Sequence, residues 1–213
     1  ELYNQALNEG LLSHGEPISL FKPVLYPQDL EKRVEIQGES LLFRPARASD
    51  LRVIQEFFYG LNDRDIHLRF MRSMKAFPRK AMAAMANIDY HHRMTLLALK
   101  GEAGFENIAA ISRYTDTGRD GLVEVDVAVA EEYRRHGLGR LLVRYLLQVA
   151  KAKGFAGMLA NVAHDNPKAL NMLKTMGYRV RAKLNLGVFE LTLRFDEEVD
   201  EPAMEIIYPQ PGK

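Results

Sequence analysis

The stretch Leu122-Val123-Glu124-Val125-Asp126-Val127-Ala128-Val129-Ala130 carries valines at its odd positions and two carboxylates at even ones. Alternation of this kind is a strand with one core face and one polar face, so Glu124 and Asp126 share a side and can serve as proton acceptors. Just downstream, Arg134-Arg135-His136-Gly137-Leu138-Gly139 leads into Leu138, Leu141, Leu142, Tyr145, Leu146 and Val149 at helical spacing, with Arg140, Arg144, Gln148 and Lys151 between them and Gly154 at the end. A helix N-terminus has unpaired N–H groups and a partial positive charge, which together suit an anion such as a phosphate. Glycine at 137 and 139 keeps side chains out of its way, and Arg134, Arg135 and Arg140 add charge around it. The plainer reading is a solvated turn, and a glycine pair alone would carry no more than that.

The elements around these residues define what holds them. Strand patterns occupy 95–99, 108–114, 122–130 and 158–163, and 180–186 with 188–195 form a hairpin about 185–187. Asp116-Thr117-Gly118 and Arg119-Asp120-Gly121 are turn signals within a meander. Helical patterns are read at 48–61, 65–72 and 78–86, before these strands. The fold class expected is α/β (α+β), with a twisted, mostly antiparallel mixed sheet and helices on both faces.

Composition removes several classes of function. A chain of 213 residues with a net charge of +1 has no electrostatic footprint for nucleic acid or an anionic membrane. It has no cysteine, which excludes disulfides, thiolate metal sites and a cysteine nucleophile and is compatible with a reducing cytoplasm. No apolar run approaches the ~20 residues of a membrane span. The Gly137/Gly139 pair lacks the third glycine of the dinucleotide fingerprint, and no G-x-x-x-x-G-K-[ST] run occurs. The anion site needs another ligand.

Arg134-x-x-Gly137-x-Gly139 after a valine-rich strand matches the [Q/R]-x-x-G-x-[G/A] motif of the GNAT superfamily of acetyltransferases, which binds the pyrophosphate of acetyl-CoA. Asn161 on the 158–163 strand, Asn166-Pro167-Lys168-Ala169-Leu170 and Met176-Gly177-Tyr178 are similar to that superfamily's N-x-x-A … G-[F/Y] segment. Phe43-Arg44-Pro45-Ala46 and Asp50-Leu51 resemble its R-P-x-x-x-x-D opening strand and helix. The resemblance spans 40–196, leaving 1–39 as an N-terminal arm or interdomain linker and 197–213 as a C-terminal tail. It implies a GNAT fold with acetyl-CoA as co-substrate and no metal. Cofactor contacts would fall on Arg134, Arg135, His136, Gly137, Leu138, Gly139 and Arg140, with Asn161 and Asn166 pairing the pantetheine amides and a backbone N–H of Val127 or Val129 meeting the oxyanion.

An amine must reach the thioester neutral, yet a lysine with a pKa of about 10.4 is almost wholly protonated at pH 7, so a base is required. Glu124 is the first choice. Strand residues rise about 3.3 Å each, and a pantetheine arm running back from the loop brings its thioester near that carboxylate. Glu124 through Glu131-Glu132-Tyr133 is also similar to the E-F-A-V-x-V-x-D-D-W run of bacterial protein lysine acetyltransferases, where a glutamate has this offset. Asp126, shorter and nearer the thioester, is second; two solvated carboxylates on a sheet edge are the bland alternative. Leu173 stands where the superfamily often carries a tyrosine that protonates the thiolate, so water or the thiolate itself takes that role.

These features imply an N-acetyltransferase acting on a primary amine, with a protein lysine as the first acceptor and a small-molecule amine as the second. A non-catalytic acyl-CoA-sensing domain is the alternative from another class. Residues 1–10 suggest a short helix, Pro17, Pro23 and Pro27 break every pattern after it, and 31–36 is a charged stretch. That segment resembles linkers joining a GNAT domain to an upstream acyl-CoA hydrolase or CoA-transferase module of the same polypeptide. His91 and His92, adjacent on an extended segment, would point apart and hold no metal. Asp165 is expected to cap the helix that begins near Asn166, and Met71, Met74, Met82 and Met85 read as core.

Overall fold

The computed structural model describes residues 25–62, 64, 89–102 and 104–207. The expected helices at 1–10, 65–72 and 78–86, the prolines at 17 and 23 and the four methionines of 71–85 lie outside the described residues.

The described residues form one sheet of strands β1 (Lys32–Ile36), β2 (Glu39–Pro45), β3 (Arg93–Lys100), β4 (Asn107–Asp116), β5 (Leu122–Val129), β6 (Gly157–Ala163), β7 (Tyr178–Asn185), β8 (Val188–Glu198) and β9 (Met204–Ile207), in the order β1-β2-β3-β4-β5-β6-β8-β7-β9. The β5/β6 and β7/β9 pairs are parallel and all others antiparallel. Among the described residues three α-helices accompany the sheet: α1 (Leu51–Tyr59), α2 (Leu138–Ala152) and α3 (Pro167–Lys174). The sheet reaches past the 40–196 limits at both ends. The charged 31–36 stretch is mostly strand β1, its Val34 and Ile36 turned to the core, and part of the expected tail is β9, paired to β7.

Alternation in β3 and β4 assigns the two faces. Met94, Leu96, Ala98 and Tyr114 pack with Leu142, Val143, Leu146 and Leu147 of α2, whereas Leu97, Leu99, Ile108 and Ile111 pack with Ile54 and Phe58 of α1. Helices therefore lie on both faces. The buried stripe of α2 differs from the expected one: Val143 and Leu147 are inside, and Leu141 is 41% exposed. The stripe turns because α2 packs mainly on β4 while its first turn lies over β5, which carries residues such as Leu147 and Ala150 inward and leaves 141 to solvent. Past the C-terminus of α2, Gly154 takes a left-handed φ of 89° and Phe155 N–H donates to Ala150 C=O while Gly154 N–H donates to Lys151 C=O, a Schellman closure.

The helix expected over 48–61 begins instead as a 3-10 turn, Ala48–Asp50, before α1. Asp50 is responsible: its buried carboxylate accepts from the buried Arg44 Nη1 and Nη2 at 2.6 and 2.9 Å and from the N–H of the exposed Arg47 at 2.7 Å. A bidentate pair with a further donor satisfies both buried charges and fixes the end of β2 against the start of α1.

Candidate active site

Strands β5 and β6 are paired only at Leu122↔Gly157, Val123↔Met158 and Glu124↔Leu159, whereas β5 stays paired with β4 as far as Val129. Beyond Glu124 the two parallel strands part. Ala156 N–H donates to Gly121 C=O and Ala130 N–H donates to Ala109 C=O, so odd residues of β5 direct their backbone toward β6 and even ones toward β4. The N–H groups of Val127 and Val129 thus face the gap. Their side chains lie on the α2 side, while Glu124, Asp126 and Ala128 are on the α1 side.

Glu124 stands at the vertex of this gap, exposed, and its Oε1 accepts from Asn161 Nδ2 at 3.1 Å. The bond links the last paired residue of β5 to a β6 residue two beyond its register partner Leu159. Asp126 is engaged differently: Arg113, its register partner on β4, donates Nε and Nη2 to Oδ2 at 3.2 and 3.0 Å. Arg113 escaped the sequence reading, although its place opposite Asp126 follows once the 108–114 strand is paired with 122–130. On the α2 side of the vertex lies a cavity of about 80 Å³ whose walls include Val125, Val143, Met158, Ala169, Met172 and Leu173, with Asp126, Asn161 and Asn166 at its polar margin.

The open end of the gap is closed by the N-terminus of α2. Gly137 is its N-cap with φ 79°, a left-handed conformation that disfavours a side chain. No side chain caps this end; the first intrahelical bond runs from Leu141 N–H to Gly137 C=O, which leaves the N–H groups of Leu138, Gly139 and Arg140 facing out of the first turn. Gly139 is small for a packing reason: a Cβ there would meet Val129 Cγ2 at 3.0 Å. The two glycines thus shape the loop and seat α2 on β5, beyond keeping a path clear for an anion.

Two of the three arginines are tied to backbone. Arg134 Nε donates to Val129 C=O at 3.1 Å, and Arg140 Nη2 donates to Thr175 C=O at 2.8 Å, joining the first turn of α2 to the end of α3. Arg135, at φ 65°, and His136 are exposed, and His136 lines a separate cavity of about 370 Å³ with Glu39, Lys100 and Tyr133. There Lys100 Nζ meets Glu39 at 2.6 Å, and burial pushes the Tyr133 phenol up.

The cap of α3 is Asn166, whose Oδ1 accepts from Ala169 N–H at 3.2 Å, in place of the expected Asp165. Pro167 occupies the first helical position, so the residue before it takes the cap. His91 and His92 also depart from expectation. Tyr90 has a φ of 55°, which bends the segment, and the two rings meet edge-on at 4.7 Å while His92 Nδ1 lies 2.9 Å from Asp116 Oδ2. Among the described residues no group of three or more His, Asp or Glu is placed to hold a metal ion, and no helix is long and apolar enough to cross a membrane.

A parted pair of parallel strands, with a glycine-started helix at one end and a carboxylate at the other, is the arrangement of an acyltransferase cleft. The chain belongs to the acetyltransferase (GNAT) family, whose model matches residues 63–178, more than half of the chain. It has the GNAT fold. Among curated relatives it is 29% identical to acetyltransferase PA5475 of Pseudomonas aeruginosa over 141 residues, 66% of this chain and 76% of that protein. Among solved structures it superposes on the GNAT domain of S. lividans PAT with a TM-score of 0.72 and 22% identity, covering 80% of this chain and 100% of that one. It also superposes on yncA, a putative acetyltransferase from Salmonella typhimurium solved with its cofactor acetyl-CoA, with a TM-score of 0.58 and 20% identity over 75% of this chain and 96% of that one.

Proposed function

We propose that the protein transfers the acetyl group of acetyl-CoA directly to a primary amine, first of all the ε-amine of a protein lysine, with Glu124 as general base. The observation that carries this reading is the parting of β5 and β6 between a helix N-terminus and an exposed carboxylate. The pyrophosphate binds the free N–H groups at the start of α2. The pantetheine arm lies in the gap, where its amides take the place of the missing strand partner. From Val129 back to Val125 the strand spans about 13 Å, so the arm delivers the thioester to the vertex.

The acceptor approaches on the α1 side, where Glu124 is exposed. Glu124 removes a proton from the ammonium, directly or through a water, and the amine attacks the thioester carbonyl. The oxyanion accepts from the Val127 N–H, and collapse breaks the C–S bond and expels the CoA thiolate, while the second proton of the attacking nitrogen passes to water or to the departing sulfur to leave the neutral amide. Leu173 has no proton to give, and a thiol of pKa near 8.5 leaves readily as the thiolate. Asp126 is held by Arg113, which leaves Glu124 better placed as the base.

Incubation of the chain with labelled acetyl-CoA and a panel of protein and small-amine acceptors tests this. Transfer to lysines that falls steeply in Glu124→Gln, with acetyl-CoA affinity retained, is the expected result. Transfer only to small amines overturns the lysine assignment, and tight acetyl-CoA binding without transfer to any acceptor favours a sensing domain.

A further inference from the structure

Between Ala110 and Tyr114, which join the core cluster packed with α2, β4 carries a serine, Ser112, that is 0% exposed. A hydroxyl buried without a partner is costly, and this one finds its partner on a single main-chain carbonyl: Oγ donates to Asp126 C=O at 2.9 Å. That carbonyl has a second donor. The register that pairs Ala130 N–H with Ala109 C=O continues to Arg113↔Asp126, which directs the Arg113 N–H at the same oxygen. Asp126 C=O therefore accepts twice, from the strand ladder and from a buried side chain. The far side of this peptide is the Val127 N–H. A trans peptide points its C=O and N–H in opposite directions, so the group held against β4 has its donor aimed into the gap where β5 has parted from β6.

We propose that Ser112 is a positioning residue for acetyl transfer, acting through the Asp126–Val127 peptide to aim and polarise the N–H that meets the oxyanion. The role has as its basis the transfer reaction proposed above, with Val127 as the oxyanion donor. Two donors on one oxygen fix the plane of the peptide on the side where β5 keeps a partner. They also draw electron density from the amide nitrogen toward the oxygen, which leaves the N–H a stronger donor, because hydrogen bonds in series polarise one another. The benefit grows as charge develops on the thioester oxygen, so it belongs to turnover and not to donor affinity.

Isotope-edited infrared spectroscopy of the full chain with acetyl-CoA labelled at the carbonyl carbon tests this with no acceptor present. The thioester C=O stretch should fall in frequency on binding to the unaltered chain. Ser112→Ala should reverse part of that fall while acetyl-CoA affinity, measured by calorimetry, is retained, and Ser112→Cys, close in size with a weaker donor, should lie between. In turnover, Ser112→Ala should lower kcat about three- to tenfold with the KM for acetyl-CoA unchanged, a fraction of the about 10²- to 10³-fold that loss of an oxyanion donor itself brings. If Ser112→Ala folds poorly, Ser112→Cys carries both measurements. Variants that bind acetyl-CoA with the stretch and kcat of the unaltered chain, whatever their stability, would make Ser112 a residue of the fold alone and overturn the proposal, with transfer by the unaltered chain still standing. A stretch identical for bound and free acetyl-CoA in the unaltered chain would overturn Val127 as oxyanion donor and Ser112 with it. Failure of acetyl-CoA to bind would overturn the functional reading itself and this proposal too.

Discussion

The two ends of the β5–β6 gap are built from different materials. At the α2 end the contacts on offer are backbone N–H groups, presented by a left-handed Gly137 and a Gly139 that allows α2 to sit on Val129. At the vertex they are side chains, Glu124 with Asn161 and Asp126 with Arg113, drawn from β4, β5 and β6. A backbone site fixes a ligand group common to every reaction of the class, whereas a side-chain site can be altered one residue at a time. Substitutions at the vertex should therefore change turnover, and those at the loop should change affinity for the donor.

The largest effect expected is at the vertex. Glu124→Gln keeps the shape and an acceptor oxygen for Asn161 but cannot take a proton, so kcat should fall by about 10²- to 10⁴-fold. The KM for acetyl-CoA should hardly move. An equal loss in kcat and in donor affinity, measured by steady-state kinetics and calorimetry, would erase the contrast between the two ends.

Next comes the loop. Gly139→Leu forces a Cβ to within 3.0 Å of Val129 Cγ2 and tilts the first turn of α2 away from the strand. Overpacking of this kind costs about 1–3 kcal/mol, and it should appear as a donor affinity at least about tenfold lower. Release of the acetylated product, followed at saturating acetyl-CoA, should keep most of its rate.

The contrast also explains what the sequence disclosed. Glycine spacing after an alternating strand is a contiguous signal, because the backbone geometry it serves is local; the strands expected over 108–114, 158–163 and 188–195 each fall within an observed strand, which is longer. The Glu124 carboxylate could be placed by its offset from the loop. Its partner could not, since Asn161 meets it only through a parallel pairing that no local pattern announces. The same holds for Arg113, fixed by the antiparallel register of β4, and for Asp50, whose buried pairing with Arg44 sets where α1 begins. β1 and β9 were hidden for another reason. Edge strands alternate weakly, as Lys32-Arg33-Val34-Glu35-Ile36 does, and the pairing that makes them strands is tertiary.

A double-mutant cycle sharpens the vertex itself. Asn161→Ala removes a hydrogen bond to a charged group, of the kind worth about 1.5–3 kcal/mol, and should lower kcat about tenfold or more. In the Glu124→Gln background the same change should cost little, giving a coupling of about 0.5–3 kcal/mol if Asn161 acts by holding Glu124. Additive losses would instead make Asn161 an independent contact of the donor, and its effect would then be seen in the KM for acetyl-CoA.

The smallest effect belongs to a region outside both ends and serves as their control. The Tyr26 hydroxyl donates to Glu31 at 2.5 Å, Arg47 lies over its ring, and the phenol is pushed up to about 12, first by burial and then by the bond to Glu31. A raised folded-state pKa favours the neutral phenol. The stability it brings is full below the unfolded value of about 10 and is lost as pH rises toward 12. Solvent screening at this half-exposed site leaves only part of the shift as stability. Urea unfolding of Tyr26→Phe should show a shallower decline over that window. Some decline should persist, because Tyr90, Tyr114, Tyr133 and Tyr145 are shifted in the same direction by burial. Acetyl-CoA affinity and kcat at neutral pH should both be unchanged; a change in either would mean that the segment around Tyr26 reaches the cleft through β2 and α1.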